Sequence, residues 1–149
     1  MRKYIGTKIT EAEPMTRGDY NVFRGWTIPE NENPDDEGYL LRYPDGYISW
    51  SPKTIFEKAY RECDSMPFGL AIEALKKGRK VARKGWNGKN QHIELATNIS
   101  YMTVDGNVYN CGHEAIGNEA IAFVGTSGIQ MGWLASQADM LAEDWVFAE

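Results

Sequence analysis

The apolar positions of this chain recur with helical spacing in two places and with a period of two through much of the rest. Phe68, Ala71, Ile72 and Leu75 fall at i, i+3, i+4 and i+7, which puts one buried stripe on a helix. Asp64 or Ser65 is placed to cap it, Pro67 to enter its first turn, and Gly78 to end it. Ile55, Phe56, Ala59 and Tyr60 share a face of an earlier helix, which Ser51 and Pro52 would open and which would run to Arg61. Ahead of it the pattern predicts a strand over residues 4–9 and a hairpin of residues 38–43 and 47–50 around Pro44-Asp45-Gly46. After Gly78 the alternation predicts strands over residues 80–86, 91–96, 101–104, 107–109, 120–124 and 129–133, with turns at Asn87-Gly88, Asp105-Gly106 and residues 125–128. Ser136 followed three residues later by Asp139 has the spacing of a capping box, so a short helix is expected at residues 137–142, then a last strand at 144–147. The fold class is α+β: an N-terminal helix packed on a mostly antiparallel sheet, preceded by a small α+β module with a β-hairpin and one helix. The expected domains are residues 1–62 and residues 66–149, joined near residues 62–67.

Composition narrows the choice of function. The chain has 149 residues and is 42% hydrophobic and 25% charged, which suits globular folding and excludes disorder. A net charge of −5 opposes broad binding to duplex nucleic acid, which needs a basic face to displace counterions. No apolar run approaches the roughly twenty residues of a membrane helix, so no membrane partner is expected. Two cysteines, Cys63 and Cys111, fit a reducing cytoplasm better than a disulfide framework.

Charge is nevertheless concentrated. Every basic residue of the second half lies in residues 76–89, KKGRKVARKGWNGK, and none lies after Lys89. Lys76 and Lys77 belong to a helix end, where cations offset the negative end of the dipole. On the strand that follows, alternation sets Lys80, Ala82, Lys84 and Trp86 on one face and Val81 and Arg83 on the other. With Val81 in the core, Lys84 and Trp86 would project outward together. Arg83 would be partly buried, so it needs a carboxylate or a phosphate, and Asp139 and Asp144 are the internal candidates. Trp133, after Gly132, is equally suited to a core or a pocket wall; Trp145 and Phe147 read as core. Ser136 and Asp139 most simply cap the next turn, although the same groups could meet ribose hydroxyls or an anion. Cys111-Gly112-His113 falls short of a zinc or nucleophile constellation, so no catalytic residue, metal or cofactor is expected.

Two stretches, FGLAIEALKKGRKVARKGWNGK (residues 68–89) and GWLASQADMLAEDW (residues 132–145), resemble the second anti-Thoeris family of small phage proteins. The resemblance covers about residues 66–149. It implies a sponge and not an enzyme: a protein that holds glycocyclic ADP-ribose made by a host immune enzyme, in the host bacterial cytoplasm. It further implies a homotetramer with pockets at subunit contacts and, in some members, separate sites for cyclic dinucleotides. Carried over by motif, the ligand-binding residues would be Arg83, Trp86 and Asn87 from the first stretch and Trp133, Ser136, Gln137, Asp139 and Met140 from the second. Lys84 joins them from its place on the strand. Where family members often carry a charge before the GW motif, this chain has Phe123-Val124-Gly125-Thr126, so its preferred cyclic nucleotide is expected to differ. The N-terminal residues resemble a module that recurs in phage proteins. The competing reading is a single-stranded nucleic-acid or phage-protein interaction module that uses the same basic and aromatic residues as an open surface.

Overall fold

The structure, a computed structural model, describes residues 1–86, 90–109 and 119–148. It divides into two units, Met1–Arg61 and Glu62–Glu149. Among the described residues no helix is long and apolar enough to cross a membrane.

The first unit runs β1 (Glu11–Pro14), α1 (Arg17–Arg24), β2 (Gly38–Arg42), β3 (Ile48–Pro52) and α2 (Lys53–Ala59). Its sheet is antiparallel in the order β1-β2-β3. The expected hairpin is present, but the expected strand over residues 4–9 is not: the first strand is Glu11–Pro14, opposite Arg42 to Tyr39. Strand β2 offers five residues before its turn, and residues 11–14 pair with four of them, so that side of β2 is taken by β1. The unit has two helices where one was expected. Helix α1 escaped notice because it is polar, yet its ends carry ordinary signals. The Thr16 hydroxyl accepts from the Asp19 amide at 3.1 Å, and Gly25 follows at φ 71 in the left-handed region. Helix α2 begins one residue later than expected and stops at Ala59. Ser51 and Pro52 still belong to β3, and Pro52 occupies the cap position without a side-chain bond. Ile55 is exposed, and the helix is held by stacked rings, Tyr39 on Phe56 at 4.2 Å and Phe56 on Tyr60 at 4.8 Å.

Gly38 marks a close approach in this unit. A Cβ there would lie 2.2 Å from a ring carbon of Trp50 and 2.5 Å from the Ser51 carbonyl oxygen. The Trp50 indole donates to the Met15 carbonyl at 2.8 Å, so the ring cannot swing away freely. Gly38→Ala is expected to lower the stability of the first unit by about 1–3 kcal/mol, the usual range for overpacking. Amide hydrogen exchange of residues 38–52 in the full chain measures it, and unchanged protection there would refute it.

The second unit runs α3 (Phe68–Lys76), β4 (Val81–Arg83), β5 (His92–Ala96), β6 (Tyr101–Met102), β7 (Val108–Tyr109), β8 (Ala120–Gly125), β9 (Gly128–Met131), α4 (Gln137–Leu141) and β10 (Trp145–Phe147). Five strands form an antiparallel sheet in the order β10-β4-β5-β8-β9, and β6 pairs with β7 apart from it. The chain is α+β with mostly antiparallel sheets. The register sets Phe147, Val81, Ile93 and Phe123 side by side across four strands. Ala71, Ala74 and Leu75 of α3 join Val81, Ile93, Met66 and Trp145 in one buried cluster. Phe68 and Ile72 pack at its margin, so the helical stripe read from spacing is the buried one. Neither Asp64 nor Ser65 caps α3; Pro67 holds the cap position, and Gly78 ends the helix at φ 82. Met66 instead exchanges backbone hydrogen bonds with Trp145, which ties the residues before α3 to the sheet.

Candidate functional site

The strand expected over residues 80–86 stops at Arg83, and this changes the site. The Trp86 amide donates to the Arg83 carbonyl at 3.1 Å, closing a four-residue turn with Lys84 and Gly85 at its exposed tip. Strand alternation therefore ends before Trp86. Lys84 and Trp86 do not project together: Lys84 faces water, while Trp86 turns back over the core. Its ring lies 5.4 Å from Phe123, 6.1 Å from Trp133 and 5.4 Å from Trp145, each edge to face. That is the favoured geometry for aromatic pairs.

Trp133 arrives from the other side. Gly132 ends β9 at φ 78, two residues earlier than expected, and the Gly132 and Trp133 amides both donate to the Ile121 carbonyl, at 3.1 and 2.8 Å. This clamp turns the Trp133 ring toward Trp86, Phe68 and Trp145. Between the two indoles opens a cleft of about 360 Å3 lined by Gly85, Trp86, Gln91, Phe123, Trp133 and Asp139. Such a volume lies at the small end of ligand sites, enough for one heterocyclic ring and its immediate substituents.

Arg83 is an internal ion pair. Its guanidinium donates to Asp144 from Nε at 2.9 Å and to Asp139 from Nη1 at 3.1 Å. Both carboxylates weighed as partners are the ones it finds, because Trp145 lies opposite Arg83 in the sheet and brings Asp144 alongside. Asp144, then Asp139, raise the Arg83 pKa further above its already high ordinary value.

Ser136 and Asp139 form the capping box that the spacing predicts. The Ser136 amide and hydroxyl both donate to Asp139 Oδ2, at 3.0 and 2.7 Å, and the Asp139 amide donates back to the hydroxyl at 3.1 Å. These bonds engage the groups that could otherwise meet a ribose, and α4 has only five residues, too short to present an anion site at its start. Burial opposes the charged form of Asp139, but the Ser136 bonds and the Arg83 guanidinium outweigh it and hold the carboxyl below its ordinary value. A depressed carboxyl stabilises the fold above its unfolded value, about 3.9, and that contribution disappears as pH falls through the lower folded value. The thermal stability of the second unit is therefore expected to fall below about pH 4. Asp139→Asn should flatten that dependence, and an unaltered acid slope would refute the assignment.

Of the other residues proposed from motifs, Gln137 is exposed and Met140 is 39% exposed, and neither lines the cleft. Asn87, with Lys89 and the Cys111-Gly112-His113 run, lies outside the described residues. Cys63 is a free thiol whose burial pushes its pKa up, the opposite of a reactive cysteine. Among the described residues no cluster of His, Cys, Asp and Glu is arranged to hold a metal. Sequence reasoning missed three lining residues, Gly85, Gln91 and Phe123. Gln91 precedes a strand without any motif, and Phe123 had a signal only in the departure from the family pattern.

Fold and cleft together define a small α+β domain with an aromatic-walled recess beside the Arg83–Asp139 ion pair. The family model of Thoeris anti-defense 2-like domains matches residues 66–148, more than half of the chain. A protein of Bacillus phage SP01 named Thoeris anti-defense 2 is 39% identical over 83 residues, which is 54% of this chain and 91% of that protein. The chain belongs to the Thoeris anti-defense 2-like family.

Proposed function

We propose that this is a phage anti-defence protein whose second unit binds a cyclic nucleotide immune signal, a cyclic ADP-ribose isomer such as glycocyclic ADP-ribose, and withholds it uncleaved. The single observation that carries the reading is the cleft between Trp86 and Trp133 in a chain of the Thoeris anti-defense 2-like family. Two indoles and Phe123 supply apolar faces for a purine, and Gln91 supplies an amide that can both donate and accept at a base edge. Phosphates would sit toward the exposed turn, where Lys84 is free of the acid pair that engages Arg83. Among the described residues that line the cleft none is a nucleophile paired with a base, which supports capture in place of turnover.

An open single-stranded nucleic-acid surface fits less well, because stacking on a strand of bases needs exposed rings and Trp86 and Trp133 are turned into the core margin. The test is to incubate the full chain with cyclic ADP-ribose isomers and cyclic dinucleotides, denature it by heat, and analyse the supernatant. Recovery of intact ligand in proportion to protein is the expected result. A cleaved product would show an enzyme, and recovery of no ligand would end the reading.

A further inference from the structure

Helix α1 of the first unit turns apolar side chains to water. Gly18, Tyr20 and Asn21 are its buried side, and the opposite side carries Asp19, Val22 and Phe23, one turn apart on one face. Trp26 joins them just past the Gly25 cap, its amide bonded to the Asn21 carbonyl at 2.8 Å. Val22 is 68% exposed, and Phe23 and Trp26 are each 51% exposed. The two rings are nonetheless fixed. Both pack on Tyr20, at 6.5 and 5.9 Å, and the Arg24 guanidinium lies 4.8 Å over Trp26. Aromatic groups held rigid in water suit an interface, since little side-chain entropy is left to lose on contact.

The same face is acidic at its N-terminal end. Asp19 lines a recess of about 310 Å3 together with Met15, Glu37, Tyr39 and Lys53. Lys53 is committed to Glu37 at 3.0 Å, which leaves Asp19 as the uncompensated charge of the recess. The acidic run ENENPDDE, residues 30–37, is held beside it, because the Arg17 and Gly18 amides donate to the Asp36 and Pro34 carbonyls, each at 2.9 Å. Among the described residues no cation pairs with Asp19, Asp35 or Asp36.

We propose that the exposed face of α1, with the recess at its end, is a docking site for a basic amphipathic helix of a partner protein. Apolar residues of that helix cover Val22, Phe23 and Trp26, and a lysine or arginine enters the recess toward Asp19, its aliphatic stem along Met15 and Tyr39. Charge selects the occupant. A basic segment compensates Asp19, Asp35 and Asp36, an acidic one is repelled by them, and a chain of net charge −5 steers basic surfaces toward itself. The helical form follows from the backbone: within α1 the amides and carbonyls are bonded along the helix, so contact is by side chains alone, as when helix packs on helix. Docking here gives the first unit a task separate from the cleft of the second.

The test is to select a displayed library of random peptides on the full chain, each peptide about 16 residues long and so able to form roughly four helical turns. Enriched peptides should carry Lys or Arg among Leu, Ile and Phe at helical spacing. Their affinity should drop at least about tenfold on Asp19→Lys and on Val22→Glu, and should weaken with added salt. Both positions are exposed, and the Thr16 cap is met by the Asp19 amide and not by its side chain, so both variants should fold. Circular dichroism checks this, and the milder Asp19→Asn should give an intermediate loss. No enrichment, enrichment of acidic peptides, or affinity unchanged by either variant overturns the proposal. A smaller mass for Val22→Glu than for the wild type in light scattering would assign the face to a second copy and overturn it as well.

Discussion

Trp145→Ala is expected to cost the second unit about 3–5 kcal/mol, the range for removing a fully buried tryptophan. Trp145 has no exposed surface and stands where α3, α4 and the two cleft tryptophans meet. Its ring meets Phe68 of α3 at 5.5 Å, Trp86 at 5.4 Å and Trp133 at 6.1 Å. Its indole donates to the Asp139 carbonyl at 3.0 Å and so anchors α4. Alanine would leave a cavity under both cleft walls and strand that carbonyl, adding about 1–3 kcal/mol if no water reaches it. Small domains hold only about 5–15 kcal/mol in total. At about 4–8 °C per kcal/mol for a domain of this size, the midpoint should fall by more than 10 °C. Calorimetry of the full chain measures it, and a shift below about 5 °C would contradict the placement of Trp145 at the centre. Trp145→Phe should recover most of the packing but not the hydrogen bond, separating the two contributions.

Trp86→Ala should weaken ligand capture while leaving the sheet in place. Unlike Trp145, Trp86 is only half-buried and packs at the margin of the core, with one side on the cleft. Stacking of a base on an aromatic ring is worth about 1–3 kcal/mol, so losing it weakens binding by roughly 5- to 150-fold. The same substitution takes edge-to-face partners from Phe123, Trp133 and Trp145, so a lower melting point accompanies it. Trp86→Phe keeps a ring in place and should restore the fold with weaker capture. Titration calorimetry with a cyclic ADP-ribose isomer, on variants shown to be folded by circular dichroism, reads the effect. Unchanged affinity in folded Trp86→Ala would remove Trp86 from the site.

These two residues differ in how far they can be read from the chain. Trp145 and Phe147, spaced by two at the end of an apolar run, were legible as core, and the structure buries Trp145 completely. Trp86 followed the same rule of alternation and came out on the wrong side, because the rule holds only while the strand continues. The hydrogen bond from Trp86 to Arg83 bends the chain directly after Arg83, the last residue paired with β10, while pairing with β5 lies back at Val81. Nothing within residues 80–86 fixes where that pairing stops; it is fixed by partner strands far away in sequence. Gln91 and Phe123 were out of reach for the same reason, since each becomes a wall only when three separated segments converge.

The sequence by itself determined what depends on near neighbours: the buried stripe of α3, the capping box at Ser136 and Asp139, the turns at glycine, and the family. It also offered Asp139 and Asp144 as internal partners of Arg83 while leaving a bound phosphate open, and the structure pairs the guanidinium with both acids. Tertiary structure alone decided which edges of the sheets are covered, that residues 4–9 form no strand, and that two tryptophans 47 positions apart face each other across one cleft. Local bonding is set by residues a few positions away, whereas strand ends, edges and clefts are set by which distant segments meet.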